Sequence, residues 1–240
     1  MTTVKGLIFD FDGVISSVMP RFGWPFLQSL KSVKPTIKRE AIFNTVNQLT
    51  HFMLNHESAD PFYALKIMWH FGQVKELNFL QKLQLIIRGA VMYYKNRMFF
   101  QLEPGVEELI SRLARSYRIG LVTTAERKVI TQASQELPII RNFEVIITRD
   151  DCQKTKPHPE GIIKVLEFFN LAPYECLYIG DLPTDIIASR RAKVRVVSVL
   201  GHYPHLMKPF IDPFQPDFTI SLVRDLPQVL RSINENYDIN

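Results

Sequence analysis

"VKGLIFDFDGVISS", residues 4–17, decides how the rest of the chain reads. The run from Val4 to Phe9 has strand character and ends on two aspartates one residue apart, Asp10 and Asp12, followed by Gly13. Near-continuous apolar strands belong to parallel sheets covered on both faces. Carboxylates held close at the end of such a strand repel: unit charges about 4 Å apart cost about 4 kcal/mol at an effective dielectric near 20. The pair therefore calls for a counter-charge, and the chain beyond it supplies candidates.

Immediately after this strand the pattern changes. Residues 17–101 show helical periodicity and almost no strand signal, with apolar positions three and four apart in "FGWPFLQSLKSV", "REAIFNTVNQLTHFML", "PFYALKIMWHFG" and "LNFLQKLQLIIRGAVMYYKNRM". "NHESADP" (55–61) reads as a loop. From residue 102 helices and apolar strands alternate. Strands are expected at 118–124, 143–148, 176–180, 194–200 and 217–220, and helices at 102–117, 126–136, 159–169 and 184–192 and over "VRDLPQVLRSI". Alternation of this kind predicts an α/β fold with a parallel sheet, and the helical region reads as an insertion after the first strand.

The informative polar residues all sit just past strand ends. Asp10 and Asp12 follow the first strand, Thr123 and Thr124 the second; Lys156 lies in the loop after the third, and Asp181 and Asp185 follow the fourth. Open parallel sheets bind ligands at that edge, where strand order switches. A hard divalent cation such as Mg²⁺ would offset clustered carboxylates. A lysine and a hydroxyl suit a phosphate group, and a carboxylate can attack phosphorus to give an aspartyl-phosphate.

Bulk properties narrow the class. The 240 residues are 46% hydrophobic and 22% charged, enough for a sizeable core. The net charge of +5 and pI near 9.2 come from scattered basic residues, which argues for an ordinary basic surface and no nucleic-acid partner. The most apolar segment, "LQLIIRGAVMYY" (83–94), is broken by Arg88, so no stable membrane association is expected. "MTTVKG" lacks the order of a secretion signal, and Cys152 and Cys176 are too far apart for a metal knuckle; both features point to a reduced, cytoplasmic protein.

The order of these polar residues resembles the haloacid dehalogenase-like (HAD) superfamily. "IFDFDGV", "GLVTT", "KPHPEG" and "YIGDLPTD" match its four motifs, and the likeness covers about 4–17 and 103–225. It implies a Rossmann-like core, residues 1–16 and 101–240, with a C1-type helical cap over 17–100. It also implies Asp10 as nucleophile and Asp12 as general acid and then base. Mg²⁺ would be held by the Asp10 carboxylate, the Asp12 carbonyl and the Asp181 carboxylate, with Asp185 as ligand or support. Thr123, with Thr124 beside it, and Lys156 would bind the phosphoryl oxygens. An acid at position 12 resembles the phosphoglycolate phosphatase-like and β-phosphoglucomutase-like branch, not the dehalogenases. The expected activity is a Mg²⁺-dependent phosphatase acting on a small phosphorylated metabolite; a phosphomutase and a catalytically silent binding protein are the alternatives. Oligomeric state is left open. The chain departs from its relatives at Ser16 and Ser17, where an Asp-Ser pair is common, and at Lys193, where a glycine is common.

Other polar and aromatic residues read as structural. Arg21, Lys34, Lys38 and Arg39 are expected on solvated helix faces, His202 and His205 in a loop, and His158 at a helix start. Phe22, Trp24, Phe26 and Trp69 are expected to pack inside the helical region.

Overall fold

The computed structural model describes residues 3–57 and 63–235. The first strand, β1 (Gly6–Phe9), is fully buried and lies in the middle of a six-stranded sheet. It pairs in parallel with β2 (Arg118–Val122) on one side and β4 (Cys176–Gly180) on the other. β2 continues to β3 (Val145–Ile147), and β4 to β5 (Arg195–Val199) and β6 (Phe218–Ile220), all parallel. The order is β3-β2-β1-β4-β5-β6. Chain direction across the sheet reverses at β1, which opens a crevice beyond its carboxyl end.

Alternation along the strands divides the core into two layers. Leu7, Phe9, Leu121 and Ile179 point to the face covered by α5 (Val106–Leu113), α6 (Arg127–Glu136) and α10 (Leu226–Glu235). Ile8, Val122 and Tyr178 point to the opposite face, covered by α7 (Glu160–Phe169) and α8 (Pro183–Arg191). This two-sided cover is why the central strand β1, GLIF, is buried along its whole length and shows no polar alternate.

Between β1 and α5 stand a π-type turn at Met19–Gly23 and the helices α1 (Trp24–Val33), α2 (Arg39–Leu54), α3 (Tyr63–Gly72) and α4 (Phe79–Asn96). α4 is started by reciprocal bonds: the Asn78 side chain accepts from the Gln81 N–H and the Gln81 side chain from the Asn78 N–H. A small core of Leu30 from α1, Ala41 from α2, Leu85 from α4 and Val74 and Leu77 from the α3–α4 connection holds the insertion together. The expected loop at 55–61 starts after α2, and its residues 58–61 lie outside the described part. Glu57 ties the insertion to the sheet side, its carbonyl accepting from the Thr155 N–H at 2.7 Å and its carboxylate pairing with Arg191. The Phe43 and Phe210 rings meet at 4.5 Å.

Several local expectations are corrected. Trp24 and Trp69 are about half exposed and do not pack inside the helices. His205 lies on a helix, α9 (Pro204–Ile211), where a loop was expected; Pro204 and Pro209 hide the pattern, since proline usually breaks a helix interior. His202 is in the preceding loop, but its Nε2 meets Glu103 Oε2 at 2.9 Å, a carboxylate distant in sequence. Lys193 adopts φ +60°, a left-handed backbone normally left to glycine.

Candidate active site

The sheet register sets the site. Phe9 is level with both Leu121 and Ile179, so Asp10 leaves β1 beside the ends of β2 and β4, and the Asp10 N–H donates to the Ile179 carbonyl at 2.8 Å. Asp10, Asp181 and Asp185 each present a carboxylate oxygen within 4.8 Å of the others. Lys156, from the loop after β3, reaches into them: its Nζ lies 2.9 Å from Asp10 Oδ1 and 2.6 Å from Asp185 Oδ1. All four side chains are buried. The peptide bond between Lys156 and Pro157 is cis.

The carboxylates differ in how they are held. Asp185 is fully buried and fully occupied: Oδ1 accepts from Lys156 and from the Tyr178 hydroxyl at 3.0 Å, and Oδ2 from the Asp181 and Leu182 N–H groups at 3.2 and 3.0 Å. Four donors on its two oxygens make it a brace for Lys156 and for the β4–α8 turn. Asp10 Oδ1 accepts from the Phe11 N–H at 2.7 Å as well as facing Lys156. Asp181 is the contrast, because its Oδ1 is buried with no hydrogen-bond partner. An orphaned buried carboxylate oxygen beside two other carboxylates fits a hard cation that takes oxygen ligands. Asp10 and Asp181 are the carboxylates that could hold such an ion, since both oxygens of Asp185 are already engaged. Gly13, at φ +83°, is required here, since a Cβ would collide with the Asp181 carboxylate.

Electrostatics follow from burial. Desolvation pushes the Asp10 carboxyl up to about 7, against the pull of Lys156 and with help from Asp185. Burial also drives Asp181 well above the ordinary carboxylate range, and the Asp185 and Asp10 charges add to it. Burial pulls on Lys156 in the opposite sense, but the Asp10 and Asp185 charges outweigh it and hold the ammonium well above its usual value. In this geometry Lys156 is a fixed cation at the head of the cleft.

Asp12 lies on the side facing the insertion. Its carboxylate pairs with Arg21, which is buried and not on a solvated helix face. The guanidinium sits 4.9 to 5.7 Å from the ring centres of Phe11, Phe22 and Phe100, which exclude water from it. Burial raises Asp12 while Arg21 opposes the rise. Thr123 is buried at the end of β2, and its Oγ1 accepts from the Ala125 N–H at 3.1 Å. Thr124 follows in the same turn, half-buried, with no side-chain hydrogen bond among the described residues. His158 lies two residues before α7, its Nδ1 accepting from the Glu160 N–H at 3.3 Å.

Sequence reasoning missed two members of the site. Tyr178 lies inside an apolar strand and looks like core until its hydroxyl is placed on Asp185 and Lys156. Arg21 belongs to no motif; its only trace is a lone basic residue between Pro20 and Phe22.

The chain is similar to known proteins along nearly its whole length. It is 24% identical over 234 residues to pyrophosphatase PpaX of Bacillus cereus, covering 97% of this chain and 99% of that one. Among solved structures, it matches a protein described as a predicted phosphoglycolate phosphatase from Haemophilus somnus with a TM-score of 0.65 and 22% identity, covering 95% of this chain and 99% of that one. It matches YfnB from Bacillus subtilis, solved bound to magnesium, with a TM-score of 0.67 and 16% identity over 96% of this chain and all of that one. The family model for haloacid dehalogenase-like hydrolases matches residues 7–199. With that match spanning strands β1 to β5, the acidic cluster and the intervening helices, the chain belongs to the haloacid dehalogenase-like hydrolases.

Proposed function

We propose that this protein is a Mg²⁺-dependent phosphatase that hydrolyses a small phosphomonoester through an aspartyl-phosphate on Asp10. The observation that carries the reading is the buried cluster of Asp10, Asp181 and Asp185 with Lys156 across it. In this reading residues 1–16 and 101–240 are the catalytic core, and 17–100 form the cap that admits the substrate. The similarity to a pyrophosphatase and to a predicted phosphoglycolate phosphatase supports phosphate-ester or anhydride chemistry without choosing the substrate.

Asp10 Oδ1 is engaged by Phe11 and Lys156, which leaves Oδ2 to attack phosphorus. As the Oδ2–P bond forms and the bond to the leaving oxygen breaks, Asp12 gives its proton to that oxygen. Asp12, now a carboxylate, takes a proton from water as the water attacks phosphorus, and Asp10 departs as a free carboxylate. Lys156 and Thr123 hold the non-bridging oxygens, with Lys156 oriented by Asp185 and Tyr178. Bound Mg²⁺ would neutralise the charge shared by Asp10, Asp181 and the phosphoryl group.

The test is a panel of sugar phosphates, phosphoglycolate, nucleotides and pyrophosphate, with and without Mg²⁺, run beside Asp10→Asn. Net phosphate release that needs both Mg²⁺ and Asp10 is expected. No turnover of any substrate, or full activity in the variant, rejects the reading.

A further inference from the structure

One helix of the insertion is apolar on the side that the protein leaves uncovered. Along α4, Leu80, Leu83, Ile87, Val91 and Tyr94 are all between 44% and 68% exposed. Their spacing of three and four keeps them on one face, opposite the buried Leu85 and Gly89. Phe79, just before the stripe, is 77% exposed, and Trp69 on α3 and Phe99 beyond α4 are more than half exposed. A continuous exposed stripe of this kind marks an interaction surface.

The charge around it selects the partner. Helix α4 contains no Asp or Glu, and Arg88 and Lys95 border the stripe, with Arg97 just beyond and stacked on the Tyr94 ring at 3.9 Å. Residues 63–102 hold six basic side chains against one acidic, Glu76, a net +5 that equals the net charge of the entire chain. An apolar face edged by Lys and Arg, with Tyr and Trp able to sit at headgroup level, is the pattern of a helix lying in the surface of an anionic bilayer. A second copy fits less well. Two α4 faces related by a two-fold axis would bring Arg88 and Lys95 of each copy to one seam with no carboxylate on the helix to meet them.

We propose that the α4 face is a peripheral docking surface for anionic lipid bilayers, through which the protein binds reversibly without crossing the membrane. Among the described residues no helix is long and apolar enough to cross one. The proposal rests on the outer face of the insertion and is independent of the chemistry assigned to the acidic cluster.

The experiment is flotation of the full chain with phosphatidylcholine vesicles, with and without phosphatidylglycerol, at low and high salt. Binding is expected only to the phosphatidylglycerol vesicles, and salt should weaken it. Ile87→Glu should reduce the partition coefficient about tenfold or more, and Arg88→Gln by a smaller factor, with circular dichroism unchanged in both. Absence of binding to anionic vesicles overturns the proposal. So does equal, salt-insensitive binding to neutral vesicles. A dimer in analytical ultracentrifugation that Ile87→Glu dissociates, without vesicle binding, would assign the face to a second copy instead.

Discussion

The sheet core and the helical insertion are built on opposite principles. Around the sheet, apolar side chains from both faces are buried against flanking helices, and the few buried polar groups are locked to one another. In the insertion five buried apolar side chains make the core, and six stand exposed on α4 alone. Buried area is what offsets chain entropy, so the first region is built to hold atoms in place and the second to move or to meet something. Precise chemistry needs the rigid side; a lid or docking face tolerates the softer one.

The sharpest way to break this division is at the proposed nucleophile. Asp10→Asn is expected to lower phosphatase turnover about a thousandfold or more while leaving the fold intact. A smaller loss, read in single-turnover assays, would move the chemistry away from the sheet edge. Packing gives the next largest effect. Leu177→Ala, in the fully buried β4, should cost about 2–5 kcal/mol in global denaturation. Leu85→Ala removes the same atoms from the insertion, and its effect should appear chiefly as faster amide exchange over 24–96, with the sheet amides unchanged. Equal global losses would show that the two regions unfold as one unit.

Arg21 probes the seam between the regions. Arg21→Met removes the partner of a largely buried carboxylate, and about 2 kcal/mol of stability should go with it. Because Arg21 opposes the upward push of burial on Asp12, the Asp12 carboxyl should titrate higher in the variant. The pH–rate profile would move to higher pH on the limb where Asp12 must be protonated.

A subtler effect comes from the carboxylates proposed to hold Mg²⁺. Asp10 and Asp181 hold their protons more tightly folded than unfolded, so without metal the unfolded chain binds fewer protons above the ordinary carboxylate value. Metal-free stability should therefore fall as pH rises from about 4 toward 7, and added Mg²⁺ should restore it at neutral pH. Asp181→Asn should raise metal-free stability near pH 7 by about 1 kcal/mol and lose most of the Mg²⁺ effect, both measured by thermal melts. The smallest expected change is at Lys193, where replacing a side chain at φ +60° by glycine should stabilise the fold by up to about 1 kcal/mol.

Strands, alternation and the polar residues at strand ends were legible because each depends on neighbours close in sequence. Apolar runs such as "GLIF" and "CLYIG" identify buried strands, and Asp10, Lys156, Asp181 and Asp185 follow from their placement after those strands. Helix α9 was hidden by two prolines, and the exposure of Trp24 and Trp69 by the rule that large aromatics pack inside. The hydroxyl contacts of Tyr178 and the pairing of Arg21 with Asp12 were hidden for a different reason: each depends on a partner that sequence spacing does not reveal.

By itself the sequence determined the α/β class, the helical insertion and the edge at which the polar residues gather, since strand period and strand-end position are local properties. Only the tertiary structure decided the strand order, the different hydrogen bonding of the three carboxylates, the burial of Arg21 against Asp12, and the outward turn of the apolar face of α4. Those depend on which surfaces meet, and that is settled by the burial available to the whole chain.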